Sequence, residues 1–279
     1  MALKFYQQNS AYGKTIPYPS PSHPNATIAT SGCGICAVMM AVWNYGVRLP
    51  SVRDFTKWAI SVGARANEGT NMAALLNGMR KKGYIRSWRT TSSEEEFTAH
   101  VRGCRPAIVH CGAANLFSTS GHFVAAMSTE GSKICVMDPF YYSGKYTANA
   151  KRRAQLRYDS KRRIVLVSPA DLQKDTKGSR YYLIEPNAPT PALSVGRTYT
   201  CSCRRDVYAG AGSNTPRKTV AQLTRDGKKH AVTSSGPATL KMGTAMTVQQ
   251  IRVNTAGDIW VKIPSGWVEA YSDRCTFLI

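Results

Sequence analysis

The hydrophobic pattern changes its period partway along this chain. Residues 33–44 read CGICAVMMAVWN, apolar at nearly every position, which predicts a largely buried helix closed by Gly46. Pro50-Ser51 opens a second helix over 52–62, stopped by Gly63, and a third spans 71–82. Ser92 and Ser93, with Glu95 and Glu96 three residues on, form overlapping capping boxes for a fourth. Beyond it, short apolar runs at 107–110, 122–127, 133–137, 164–167 and 181–184 predict strands. Helices first and an antiparallel sheet afterwards make an α+β layout.

The pattern breaks at Pro186-Asn-Ala-Pro-Thr-Pro-Ala192, where three prolines among small residues hold neither a helix nor a central strand. Past it the chain turns to short β-prone runs separated by glycine and polar turns. The expected organisation is a first domain over 1–185, a Pro-rich linker over 186–195 and a small all-β domain over 196–279. At 279 residues and 43% hydrophobic, the chain has the length and apolar content for two packed cores.

Charge narrows the partners. A net charge of +21 implies an anionic surface: nucleic acid, lipid headgroups or an acidic polymer such as a Gram-positive wall. No basic zipper, zinc finger or aromatic–basic signature supports nucleic acid. No run approaches the ~18 apolar residues of a membrane span. The start, MALKFYQQ, leads into polar sequence without a secretory pattern, so synthesis in a cytoplasm is expected. There the cysteines (33, 36, 104, 111, 135, 201, 203 and 275) are expected as free thiols. The run 145–163 carries eight basic residues against one acid and reads as a solvated loop or as a contact surface for anionic polymer.

A nucleophilic cysteine needs a base, a group that orients the base, and donors for the oxyanion. Ser31-Gly32-Cys33-Gly34 places a thiol at a helix N-terminus, where the peptide dipoles favour the thiolate. Gly121-His122 opens one strand, and Lys133-Ile-Cys-Val-Met-Asp138-Pro139 ends the next in an acid. A hairpin through 129–132 brings His122 and Asp138 to the same end of adjacent strands, the arrangement of a triad. Each assignment has a rival. Cys33 and Cys36 also read as a redox pair or half a zinc site, His122 as a core histidine, Asp138 as a turn residue, and His110 as a competing base.

These residues resemble the double-glycine leader peptidase-like branch of the papain-like cysteine peptidases. The likeness covers residues 5–140 and rests on Gln7, Thr27-Ile-Ala-Thr-Ser-Gly-Cys-Gly34, Gly121-His-Phe123 and Asp138-Pro139 in order. It implies a papain-like fold with Cys33 as nucleophile, His122 as base, Asp138 as orienting acid and no cofactor or metal. Gln7 would donate its side-chain amide to the oxyanion, beside the Cys33 N–H, with Gln8 as competitor.

From residue 196 the chain resembles bacterial SH3-type wall-binding domains, through Val207-Tyr-Ala-Gly-Ala-Gly212, residues 241–248, 258–263 and Gly266-Trp-Val268. Tyr208 stands where such modules carry arginine, and residues 214–239 form a long insertion. Trp260 and Trp267 read as core, or with Tyr208 and Tyr271 as an aromatic floor for wall ligand. Together the two resemblances imply a phage endolysin: a monomeric peptidoglycan hydrolase, made in the host cytoplasm and acting on Gram-positive wall after release, with teichoic acid as an added anionic partner. The bond cut is an endopeptide bond or the muramoyl–alanine amide. A peptidase maturing leader peptides and a non-catalytic wall binder are the alternatives.

Overall fold

The computed structural model describes residues 2–147 and 149–279. Met1 and Ala148, the latter inside the basic run, lie outside the described residues. Two short helices, α1 (Ala11–Thr15) and α2 (Ile28–Ser31), lead into α3 (Cys33–Trp43). Residues 34–42 of α3 are all buried, as a helix apolar on every side requires. Next, α4 (Val52–Ser61) starts where the Ser51 hydroxyl accepts the Asp54 N–H, and buries Phe55, Thr56 and Ala59. A small hairpin of β1 (Arg65–Ala66) and β2 (Gly69–Thr70) precedes α5 (Met72–Lys81), which Asn71 caps. Strand β3 (Ile85–Thr91) and helix α6 (Glu94–Arg102) follow. Ser93 caps α6, but the return half of the expected box is not made. The Ser93 N–H donates to Thr91 Oγ1 instead, and Glu96 pairs with Arg89.

Strands β4 (Ala107–Cys111), β5 (His122–Glu130) and β6 (Lys133–Met137) come next, followed by α7 (Ala150–Gln155) and β7 (Leu156–Asp159). Then β8 (Ile164–Val167), α8 (Pro169–Asp175) and β9 (Thr176–Pro186) complete a seven-stranded sheet in the order β3-β9-β4-β5-β6-β8-β7. Its neighbours all pair antiparallel. Strand β5, at the centre, is buried at every position. Phe123, Ala125 and Met127 join the core around α3, while Val124 and Ala126 join a second core with Phe97 and Val101 of α6 and Leu172 of α8. Burial on both faces removes the apolar–polar alternation that one solvated face would give.

Residues past 196 form three small antiparallel sheets rather than one closed sheet. They hold β10 (Thr198–Thr200), β11 (Arg205–Asp206), β12 (Thr239–Leu240) and β13 (Ala245–Thr247), then β14 (Gln250–Val253), β15 (Ile259–Ile263), β16 (Gly266–Ser272) and β17 (Cys275–Thr276). β10 pairs with β13, β11 with β12, and β14 to β17 pair in sequence. The insertion carries a 3-10 turn at Val220–Gln222 and a short helix, α9 (Arg225–Lys229). Val207, Leu240, Val261 and Val268 centre a core of their own.

This unit is docked on the first. Cys203, Met242, Cys275 and Phe277 are buried in the same core as α3. The Thr276 N–H donates to Tyr45 O at 3.1 Å, the Ala188 N–H to Arg274 O at 2.9 Å and the Arg204 N–H to Ser128 Oγ at 2.8 Å. Arg86 and Arg105 grip opposite oxygens of Asp273 at 2.6 and 2.7 Å. Gly46 is needed twice over: its φ is +91°, and a Cβ there would lie 2.5 Å from Thr276 Cβ. Within the expected linker Ala188 is buried, so that segment is laid against the fold. Among the described residues no helix is long and apolar enough to cross a membrane.

Candidate active site

Cys33 is the first residue of α3, separated from α2 only by Gly32. Neither flanking glycine is there for a left-handed turn, since Gly32 has φ −92°. Both are required by contact: a Cβ on Gly32 would sit 2.7 Å from Ile28 O, and one on Gly34 would sit 2.6 Å from Thr70 Cβ. The thiol is therefore held at the helix end by packing from both sides, where the dipole favours its anion.

Helix α3 packs across β5, bringing Cys33 beside His122 at the start of that strand. The β5–β6 register, Ala125 opposite Met137, returns the chain so that Asp138 ends beside His122. His122 Nε2 lies 2.6 Å from Asp138 Oδ1, which leaves Nδ1 for the thiol. Asp138 Oδ1 also accepts the Phe140 N–H at 2.9 Å. Its other oxygen accepts from Lys145 Nζ at 2.6 Å and from the Tyr146 hydroxyl. His122, Asp138, Lys145 and Tyr146 are all buried, whereas Cys33 is partly exposed.

Burial pushes the Cys33 thiol up, but His122 and the backbone N–H groups of Phe123 and Gly34 together hold it below its ordinary value. Burial also works against the imidazolium, yet Asp138 and Cys33 raise His122 to about 9. Asp138 is driven well below the usual carboxylate range, because Lys145 and His122 outweigh its desolvation. All three directions favour a thiolate–imidazolium pair oriented by a carboxylate.

A cleft of about 770 Å³ opens over Cys33 and His122, with Gln8, Phe140, His23 and Glu68 among its lining residues. Of the two candidate oxyanion donors, Gln7 and its competitor Gln8, the geometry favours Gln8. The Gln7 amide donates to Tyr141 O at 3.2 Å, and Gln7 does not line the cleft. Gln8 does. Its N–H is tied to Pro139 O at 2.8 Å, its Nε2 donates to Ala29 O at 3.1 Å, and it is 4% exposed. The loop closes so tightly that a Cβ on Gly13 would lie 1.8 Å from Gln8 O.

The wall of the cleft before His122 is set by Asp175. Its buried carboxylate accepts the N–H groups of Ala114, Leu116 and Phe117 at 2.8 to 3.2 Å. His110 stacks on Phe123 with centroids 4.6 Å apart, while Asp138 is committed to His122. Cys36 is fully buried in the core, where desolvation drives its thiol well up. Among the described residues no group of three or more His, Cys, Asp or Glu is placed to hold a metal ion.

Of the two readings of the second unit's aromatics, core and ligand floor, burial favours the core. Trp260, Trp267 and Tyr271 are 4%, 7% and 8% exposed and hold the fold instead of presenting a face. Tyr208 is partly buried, edge-on to Trp260 at 5.5 Å. Lys145 and Tyr146 were not legible as site residues. Their only signal is position, seven and eight residues past Asp138 in an aromatic stretch.

No protein-family model matches this chain, and no curated protein matches it. Among solved structures it is similar to a C39-like peptidase from Bacillus anthracis, at 13% identity over 67% of this chain and 96% of that one, TM-score 0.41. It is similar to the peptidase domain of ComA, a bi-functional ABC transporter of Streptococcus, at 13% identity over 55% and 90%, TM-score 0.38. A likeness to Ly7917 with the hydrolysing product of MDP extends over 88% of this chain and 97% of that one, at 14% identity and TM-score 0.26.

Proposed function

We propose that the chain is a cysteine peptidase that cuts an amide bond in the stem peptide or cross-bridge of bacterial peptidoglycan. One observation carries the peptidase reading: a partly exposed thiol at a helix N-terminus, beside an imidazole whose far nitrogen is fixed by a buried carboxylate. The Cys33 thiolate attacks the amide carbon, and the oxyanion is met by the Cys33 N–H and by the second N–H of Gln8 Nε2, whose first is given to Ala29 O. His122 gives its proton to the departing amine. Water, deprotonated by His122, then hydrolyses the thioester and frees Cys33.

The wall as substrate is supported by the resemblance of residues 196–279 to SH3-type wall-binding modules and by the net charge of +21. Teichoic acid would add anionic contacts that weaken with salt. In this reading the protein is an endolysin acting as a monomer after release from the cytoplasm.

The test is turbidity loss of purified Gram-positive walls with the intact chain and with Cys33→Ala, the released fragments being read by mass spectrometry. Clearing that needs Cys33 and creates new amino termini is the expected result, and the termini name the bond. A chain with a reactive Cys33 that clears no wall of a broad panel would overturn the substrate.

A further inference from the structure

We infer that Lys145 is a positioning residue of this site: its ammonium, bonded to the far oxygen of Asp138, fixes that carboxylate in line with His122 and shares its charge. The inference rests on the roles proposed above for Cys33, His122 and Asp138. Lys145 begins the basic run that the sequence assigns to a solvated loop or an outer contact surface, and it is neither. It is 3% exposed, with Nζ 2.6 Å from Asp138 Oδ2 and 2.9 Å from Phe140 O. The ammonium also lies 5.5 Å from the ring centroid of Phe140 and 5.6 Å from that of Tyr146.

The rest of the run holds this lysine in place. Arg152 Nη1 donates to Lys145 O at 3.2 Å, and the same guanidinium reaches Asn115 O at 3.3 Å. Lys151 Nζ donates to Ala114 O at 2.7 Å, in the loop that Asp175 shapes. Part of the basic segment is thus turned inward, as a strap joining the turn after Asp138 to the loop before His122.

Stability alone does not explain a buried ammonium here. A well-packed apolar side chain generally stabilises such a position as well as an ion pair does, because desolvating two charges offsets their attraction. What an apolar side chain cannot do is hold the second oxygen of Asp138 or draw off part of its charge. Without Lys145 only neutral donors, the Tyr146 hydroxyl and the Phe140 N–H, would share Asp138 with His122, so more of the negative charge would act on the imidazolium and it would keep its proton to higher pH. The other charged and titratable groups around the pair are Cys33 from α3, His110 and Cys111 from β4, Tyr146, Asp175 at the end of α8, Arg152 from α7 and Lys177 from β9. The two cations among them bond main-chain oxygens, Arg152 that of Lys145 and Lys177 that of Ser120, and Lys145 is the one bonded to Asp138.

Inactivation by iodoacetate as a function of pH tests this without any substrate. The anionic reagent reacts fastest while a thiolate stands beside an imidazolium, so its rate falls as His122 deprotonates, near pH 9 in the native chain. The other seven cysteines are buried, and Cys33→Ala supplies the blank. Lys145→Met is expected to move the alkaline limb up by about one pH unit, a tenfold change in the imidazolium's acidity. Lys145→Gln, which keeps a donor to Asp138 and serves where Met does not fold, shifts it the same way. Lys145→Arg restores the native limb. Neutral variants that fold and leave the limb in place would overturn the role of Lys145 while leaving the ion pair intact. A native profile with no alkaline limb would overturn the ion pair itself, and Lys145's role with it.

Discussion

Cys33 and Cys104 show what separates a reactive thiol from one that only has a depressed pKa. Burial pushes both up, and in both the neighbours override it. Cys33 is brought down by His122 and two backbone N–H groups, Cys104 to about 7 by Cys203 and Arg205. Arg205 Nη2 lies 2.8 Å from Cys104 Sγ, closer than many ion pairs, yet Cys104 is 1% exposed under the second unit. Its cation cannot accept a proton, because a guanidinium does not titrate in this range. Cys33 faces a cleft, and its cation is an imidazole that takes and returns a proton. Access and a titratable partner make the site; the shift alone does not.

The largest effects should separate the two thiols. Cys33→Ala should lower wall or peptide hydrolysis by roughly 10⁴-fold or more and leave the melting temperature nearly unchanged. Cys104→Ala should do the reverse, costing about 2 kcal/mol in a denaturant titration by removing one buried partner of Arg205 while Glu269 remains at 3.1 Å, with kcat of the folded fraction retained. Next comes Asp138→Asn, expected to cut kcat by roughly 10³- to 10⁴-fold by releasing the orientation of His122. Gln8→Ala should cost roughly 10²-fold in kcat, the worth of one oxyanion donor, while Gln7→Ala stays near native. Equal losses at Gln7 and Gln8 would sink the reassignment.

The smallest effects are in pH. His122 loses its proton as pH rises through about 9, so kcat/KM should fall there. Cys104 works in the opposite sense. Its folded pKa of about 7 lies below the ~8.5 of a free thiol. Its ionisation therefore stabilises the fold above that free value, and the contribution is lost as pH falls through about 7. Melting temperatures across this window should decline toward low pH in the native chain and flatten in Cys104→Ala.

The same contrast explains what could be read from the sequence. The strands it reveals are those buried on one or both faces, and β5 is the clearest. Within the seven-stranded sheet the two it conceals, β3 and β7, are the edges. In β3 only Ile85 is buried, so IRSWRTT offers no apolar period to detect. Cys33, His122 and Asp138 are legible because each begins or ends an element whose apolar run is visible. Gln7 and Gln8 are not separable that way, since which of two adjacent side chains faces the cleft depends on the Gln8–Pro139 and Gly13 contacts, distant or steric facts. Lys145 is hidden for the opposite reason: a lysine among many basic residues reads as solvated, and only the tertiary turn buries it.

The shared core between the two units limits how this protein can be recombined. Cys203, Met242, Cys275 and Phe277 complete the packing around α3, and Gly46 accepts Thr276 with no room for a side chain. Grafting a foreign module after residue 195 would therefore strip apolar surface from the helix that carries Cys33. Any chimaera that exchanges the C-terminal unit must carry these four side chains and the Asp273 clamp across with it.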